Sequence, residues 1–227
     1  MVGLNWVTAW DRAVFVQINN HLRSPILDRI FPFISDLGLG HIQAFSILLA
    51  AVISGSNAGE FHTGITFGNT KQSIVSRKHW VYPLLLALLL SGVMSTIVKH
   101  SVVRDRPWGY YSKEHLLGRE LTVHVAPPIR GPLKSHGFLS GHTATSFAIA
   151  TTLAIIVHRR KRSIALSVTG VLVATLIGFS RIYVVDHWPL DVVAGAVTGV
   201  GCGYFAYYLC RNLVTPPDNP DEELVTI

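Results

Sequence analysis

Long runs of residues without charge constrain this chain more than any other feature of its sequence. Residues 81–98 and 164–179 contain no Asp, Glu, Lys or Arg, and neither do residues 38–54 and 141–157. A helix needs about 20 predominantly apolar residues to cross the hydrocarbon core of a bilayer. Charged residues make up 14% of the chain, whereas soluble domains carry about 25%. The sequence therefore predicts an all-α, polytopic helical bundle in a membrane.

Five apolar runs define the predicted spans, and the N-terminal region brings their number to five or six. The spans are predicted at residues 38–54, 81–98, 141–157, 164–179 and 190–210. Residues 4–36 mix apolar side chains with charges at roughly helical spacing, which is typical of amphipathic helices in the membrane interface. A further span with its charges facing the bundle is the alternative. The predicted domains are residues 1–36, a transmembrane domain at 37–213 and a disordered polar tail at 214–227.

Alternating spans bring distant polar residues to one face of the membrane. Lys99 follows the second span, and His142 begins the third. Arg181 follows the fourth span, and Asp191 lies at the start of the fifth. Charged groups at the end of a membrane helix are costly to place there, so they indicate function. We expect these residues to form one site.

The polar residues at this face of the membrane fall into three short motifs. They are Lys99-x6-Arg106-Pro107, Ser140-Gly141-His142 and Ser180-Arg181-x5-His187-x3-Asp191. Lys99, Arg106 and Arg181 supply cations, and the arginine fork matches the geometry of phosphate. Ser140 and the backbone at Gly141 lie where a helix N-terminus can bind an anion. The residues alone therefore predict a phosphate site.

Together the motifs resemble the signature motifs of the type 2 phosphatidic acid phosphatase (PAP2) family, over roughly residues 80–205. The one departure is Leu139, where the family usually has proline before Ser-Gly-His. The resemblance implies that His187 is a nucleophile that passes through a phosphohistidine, while Asp191 orients it. It also implies that His142 protonates the leaving oxygen and then helps to activate water. It implies no metal and no cofactor.

The predicted function is hydrolysis of a membrane lipid phosphate or diphosphate by a metal-independent phosphatase. Candidate substrates are undecaprenyl diphosphate, phosphatidylglycerophosphate, phosphatidic acid and a lipid A phosphate. Transfer of the phosphoryl group to another lipid is the alternative, and a non-enzymatic scaffold or transporter is the third hypothesis. The expected partners are the lipid substrate and the bilayer. The net charge is +6, but the basic residues are scattered among apolar spans, which argues against binding to nucleic acid. The sequence does not predict the oligomeric state.

Charge near the predicted spans also indicates sidedness. Residues 158–162 form a dense basic connection between the third and fourth spans, and short loops rich in Lys and Arg stay cytoplasmic. The predicted location is therefore a bacterial inner membrane, with the active site facing the periplasm or the cell exterior.

Several polar residues near the motifs leave alternatives open. Asp186 could compete with Asp191 as the partner of His187, although the motif spacing favours Asp191. Arg104 and Asp105 are expected to shape a turn. Trp108, Tyr110 and Tyr111 could join the aromatic belt at the membrane surface or line the path of the lipid headgroup.

Overall fold

A computed structural model describes residues 5–22, 24–56, 79–116, 137–159 and 164–214, which form eight α-helices and their connections. The predicted all-α membrane bundle is confirmed within these ranges. The helices are α1 (Asn5–His21), α2 (Pro25–Asp36), α3 (Gly40–Ser56), α4 (Val81–Ser101), α5 (Pro107–Leu116), α6 (Gly141–Arg159), α7 (Ile164–Tyr183) and α8 (Pro189–Val214).

Three helices in the described ranges are long and apolar enough to cross a membrane on their own, namely α4, α7 and α8. Helices α2 and α3 are joined by a bend of 68°, and together they also pass this test of length and composition. They would form a fourth span if the bent pair crosses the membrane as one unit. The short helix α5 was not predicted within the long polar insertion; Pro107 begins it, which suits a residue that lacks an N–H group.

Helix α6, predicted as the third span, lies at the centre of the bundle. It packs most extensively against α8, and also against α7 and α4. Buried polar side chains lie along it, including Thr143, Ser146 and Thr152. Because its surface meets other helices, α6 does not need the apolar exterior of a lipid-facing span. This explains why it is not among the helices that are apolar enough to cross alone.

Glycines bring the backbones of α6 and α8 close together. A Cβ atom on Gly195 would lie 2.6 Å from the carbonyl oxygen of Ser140. Cβ atoms on Gly199 and Gly203 would meet the carbonyl oxygens of Ala144 and Ala148 in the same way. Small residues at four-residue spacing permit this approach between membrane helices. The stripe therefore fixes how α8 is aligned along α6.

The N-terminal helices pack against the end of the bundle where α7 meets α8. Phe15 of α1 is fully buried beside Val185 and Trp188. On α2, Phe31 packs against Tyr183, while the opposite face exposes apolar side chains that include Ile26, Ile30 and Phe33. An exposed apolar stripe beside polar residues agrees with the predicted interfacial helix. The division of the chain into three domains stays a prediction.

Some predicted features lie outside the described residues. They are residues 57–78 of the loop after the first span, residues 117–136 of the long insertion, the basic residues Arg160, Lys161 and Arg162, and residues 215–227 of the tail.

Candidate active site

Four helix ends meet where the sequence predicts the site. Lys99 lies in the last turn of α4, and Arg181 lies in the last turn of α7. His142 is in the first turn of α6, and Asp191 is in the first turn of α8. His187 occupies the tight connection between α7 and α8. The structure thus brings together residues from all three motifs.

The connection after α7 is a strained turn that buries His187. Val185 has a φ of 64°, which is unfavourable for a β-branched residue and is found mostly where the surroundings enforce it. The amide groups of Asp186 and His187 both donate to the carbonyl oxygen of Arg181, each at 3.1 Å. The carbonyl oxygen of Val185 accepts from the amide of Trp108 at 3.2 Å. These bonds hold the His187 side chain at 1% exposure.

The two ring nitrogens of His187 face groups of opposite charge. Nε2 lies 3.4 Å from Nη1 of Arg106, and Nδ1 lies 3.6 Å from Oδ2 of Asp191. A guanidinium only donates hydrogen bonds, so Nε2 must present its lone pair. The proton of the neutral ring then belongs on Nδ1, which faces the carboxylate. Contacts of this length between catalytic groups commonly shorten when a substrate binds.

The protonation state of His187 follows from its surroundings. Burial lowers its pKa well below the usual 6.5, and the charges of four neighbours lower that pKa further: Arg181, Arg106, Lys99 and His142. The imidazole is therefore neutral at pH 7 and can act as a nucleophile.

Two arginines share the carboxylate of Asp186. Arg181 pairs with Oδ2 of Asp186 and also donates to Oγ of Ser35 at the end of α2. Arg106 donates to the carbonyl oxygen of Asp186 at 3.1 Å and lies 3.9 Å from its Oδ1. Asp186 therefore orients the two guanidinium groups, while Asp191 faces His187. Burial lowers the pKa of Arg106, and the charges of Asp186 and Asp191 raise it.

The N-terminus of α6 completes the basic surface around His187. The fully buried Ser140 caps this helix, because its Oγ accepts from the amide of Thr143 at 3.4 Å; the same Oγ also accepts from the hydroxyl of Thr143 at 2.8 Å. A Cβ on Gly141 would lie 3.2 Å from Nζ of Lys99, so the ammonium group lies over the first turn. Cation and helix terminus both favour an anion at this position.

His142 is partly exposed and contacts the bend between α2 and α3. A Cβ on Gly38 would lie 2.8 Å from Cβ of His142 and 2.7 Å from Cγ2 of Ile177. Only glycine allows the bend to approach so closely, and it thereby encloses one side of His142.

The site contains residues that sequence reasoning missed. Ser35 binds Arg181, and Arg104 pairs with the carboxylates of Asp11 and Asp191. The turn predicted at Arg104 and Asp105 is not present: the two residues lie in the irregular connection between α4 and α5. Their carbonyl oxygens accept from Gly137 N and Trp188 Nε1, each at 2.8 Å. The sequence feature that could have pointed to the ion pair with Arg104 is Asp11, because it is a charged residue within the apolar pattern of α1.

The aromatic residues after the first motif pack inward. Trp108, Tyr110 and Tyr111 surround Trp188 together with Phe15 of α1. The ring centroids of Phe15 and Trp188 are 5.1 Å apart, and those of Tyr111 and Trp188 are 6.1 Å apart. Burial raises the pKa of Tyr111. This cluster covers the turn that carries His187.

Comparison with known proteins places the chain in a family. The model of the PAP2 superfamily matches residues 80–214. The chain is 32% identical to lipid A 1-phosphatase of Porphyromonas gingivalis over 71% of its length, and it spans 34% of that protein. It is 26% identical to lipid phosphate phosphatase 1 of Arabidopsis thaliana over 91% of its length, and it spans 62% of that protein.

A solved structure shows the same architecture. LpxE from Aquifex aeolicus superposes with a TM-score of 0.62 at 31% sequence identity, covering 86% of this chain and 93% of the other. Within the described residues, no group of three or more His, Cys, Asp or Glu side chains could hold a metal ion. The resemblance carried by the three motifs is confirmed, and the chain belongs to the PAP2 superfamily.

Proposed function

We propose that this protein is a membrane phosphatase that hydrolyses a lipid phosphate through a phosphohistidine on His187. The observation that carries the proposal is a buried imidazole whose Nε2 lies 3.4 Å from Nη1 of Arg106 and whose other cationic neighbours include Arg181 and Lys99. Phosphoryl transfer depends mostly on positioning and on neutralising charge at the equatorial oxygens. A nucleophile surrounded by three cations supplies both.

In the first step, Nε2 of His187 attacks phosphorus and the bond between phosphorus and the leaving oxygen breaks. His142 donates a proton to that oxygen, so the lipid departs as an alcohol or as a phosphate. Asp191 stabilises the positive charge that develops on the imidazole and keeps the proton on Nδ1. Proton donation at this step is worth on the order of 10²–10⁴-fold.

In the second step, water attacks the phosphohistidine. His142, now neutral, takes a proton from the water as the bond between Nε2 and phosphorus breaks, and inorganic phosphate leaves. Lys99, Arg106 and Arg181 bind the phosphoryl oxygens throughout, together with Ser140 and the backbone at Gly141. Loss of one such donor is expected to cost on the order of 10²–10³-fold.

The proposed substrate is a lipid of the bacterial inner membrane, met on the extracytoplasmic face. Support comes from the relative named as a lipid A 1-phosphatase and from the position of the site at the ends of membrane helices. The four lipids named as candidates in the sequence analysis are the substrates to be tested.

The test measures phosphate release by purified protein from undecaprenyl diphosphate, phosphatidylglycerophosphate, phosphatidic acid and a lipid A phosphate. We expect release from at least one, and near-complete loss in His187→Ala and in His142→Ala. The matched control is His100→Ala, which removes an exposed histidine at the end of α4 and is expected to keep full activity. Substantial turnover by His187→Ala would exclude the proposed nucleophile.

The same assay separates hydrolysis from transfer to another lipid. Radioactive phosphate from the substrate should appear as inorganic phosphate in vesicles that lack any lipid acceptor. Release that requires an added lipid alcohol, with the label recovered in that lipid, would instead identify a phosphotransferase.

A further inference from the structure

A fully buried carboxylate on the N-terminal helix has no part in the mechanism described so far. Asp11 of α1 has no exposed surface. Its Oδ1 accepts a hydrogen bond from the amide of Leu190 at 2.9 Å, and its Oδ2 pairs with Arg104. Burying a charge is costly unless it is paired and hydrogen-bonded. Asp11 is therefore held at the first turn of α8, which is the turn that carries Asp191.

Arg104 joins this carboxylate to the predicted catalytic one. Its Nη2 pairs with Asp11 and its Nη1 pairs with Oδ1 of Asp191. The guanidinium also lies over the ring of Trp188, 5.7 Å from the ring centroid. A planar guanidinium with partners on two sides and a ring on its face has little freedom to turn. One cation thus lies between two buried carboxylates.

The consequence for Asp191 is a fixed orientation of its carboxylate. Oδ1 is held by Arg104, while Oδ2 accepts from the amide of Trp188 at 3.0 Å. The same Oδ2 lies 3.6 Å from Nδ1 of His187. If Arg104 released Oδ1, the carboxylate could rotate about its terminal bond and Oδ2 would no longer be held opposite Nδ1.

We propose that Asp11 and Arg104 are positioning residues that hold the Asp191 carboxylate against His187, so that helix α1 takes part in the active site. This inference rests on the proposed phosphatase function. It does not require Asp11 or Arg104 to touch the substrate. A misplacement of about 1 Å at a reacting group can cost about 100-fold in rate.

The kinetic test is a double-mutant cycle on purified protein. Arg104→Met is expected to lower kcat by about 10–100-fold with KM changed less than threefold, and Asp11→Asn is expected to lower kcat by a smaller factor. In an Asp191→Asn background, Arg104→Met should have little further effect on kcat, because the group it positions is gone. An equal loss in both backgrounds would overturn the proposal.

The matched control is Arg12→Met. Arg12 is adjacent to Asp11 on α1 and docks on Tyr110, with its Nη1 3.0 Å from the tyrosine hydroxyl, but it has no contact with Asp191. If α1 acted only by packing, Arg12→Met and Asp11→Asn would lower kcat and the unfolding temperature in parallel. We expect kcat to fall only in Asp11→Asn.

A measurement that needs no turnover is ¹⁵N NMR of histidine-labelled protein in nanodiscs, with the His187 signals assigned from His187→Gln. Wild-type protein should show the tautomer protonated at Nδ1, and Arg104→Met should show a mixture of tautomers. An unchanged tautomer in Arg104→Met would refute the positioning role even if the enzyme is active. Absence of phosphate release by wild-type protein would refute the proposed function, and the NMR result would still decide the role of Arg104.

Discussion

The amide of Ser140 donates a hydrogen bond of 3.0 Å to the carbonyl oxygen of Asp191. This bond joins the residue before α6 to the first turn of α8, and it therefore links the second motif directly to the third. The distance between the proposed acid His142 and the proposed nucleophile His187 thus depends on how α6 and α8 are aligned.

The alignment can be tested at the glycine nearest to this bond. In Gly195→Ala, the new methyl group would lie 2.6 Å from the carbonyl oxygen of Ser140, so the helices must separate. Overpacking of this kind costs about 1–3 kcal/mol, and we expect a lower unfolding temperature in detergent together with lower kcat. Gly201→Ala is the control on the same helix, since its methyl group would meet nothing within 4 Å. Equal behaviour of the two variants would contradict this account.

The pH dependence of activity should report His187. The attacking imidazole must be neutral, and burial followed by the charges of Arg181, Arg106, Lys99 and His142 lowers its pKa well below 6.5. Asp191 is the carboxylate that faces the ring. Because His187 becomes half protonated only at its lowered pKa, the midpoint of the acid limb of kcat/KM should lie below pH 6.5.

A substitution at Lys99 tests the direction of this effect. Lys99→Met removes one of the charges that lower the pKa of His187, so that pKa should rise and the acid limb should move to higher pH. The rate should also fall at every pH, because a cation of the proposed phosphate site is lost. Lys99→Arg keeps the charge and should leave the limb in place. A limb that moves to lower pH in Lys99→Met would show that another group controls it.

The two carboxylates of the third motif should affect different kinetic constants. Asp191→Asn should lower kcat by on the order of 10²–10⁴-fold with little change in KM, because it acts on the imidazole tautomer and charge. Asp186→Asn should mainly raise KM, because Asp186 orients the two phosphate-binding arginines. Steady-state kinetics on one lipid in mixed micelles distinguishes them, and a pure KM effect in Asp191→Asn would reduce that residue to a structural ion pair.

Phosphate release should survive prolonged dialysis against EDTA, since three protein cations stand where a metal would otherwise neutralise the substrate. Vanadate should inhibit phosphate release, because vanadate bound to His187 would adopt the five-coordinate geometry of the transition state of phosphoryl transfer. The assay compares EDTA-treated protein with and without added Mg²⁺. A strict requirement for Mg²⁺ would contradict the proposed mechanism.

The proposed sidedness predicts which face of the membrane can be labelled. A cysteine at Ser112 of α5, in a variant lacking Cys202 and Cys210, should react with an impermeant maleimide in intact spheroplasts, while a reporter fused after Leu213 should report a cytoplasmic position. Labelling only after lysis, with an external reporter, would reverse the topology.

Sequence reasoning placed the motif residues at one end of the bundle because alternation of spans is a strong constraint. Lys99, His142, Arg181 and Asp191 each flank an apolar run, so their common face follows once the runs are recognised. The pairing of Arg104 with Asp11 could not be predicted in this way, because it joins α1 to a distant loop and neither periodicity nor spacing encodes that contact. The role of Asp186 was ambiguous for a related reason: its neighbour His187 is adjacent in sequence, but the turn at Val185 directs the two side chains to different partners.

The bend between α2 and α3 has a consequence for the depth of the candidate site in the membrane. If α2 lies in the interface, as the sequence predicts, the contact from Ser35 to Arg181 sets this guanidinium at the level of the lipid headgroups. A lipid phosphate would then reach the site by lateral diffusion, without being lifted out of its leaflet. Substrates should accordingly be distinguished by what lies at headgroup level, while the length of their hydrocarbon chains, far below the bend, should matter little.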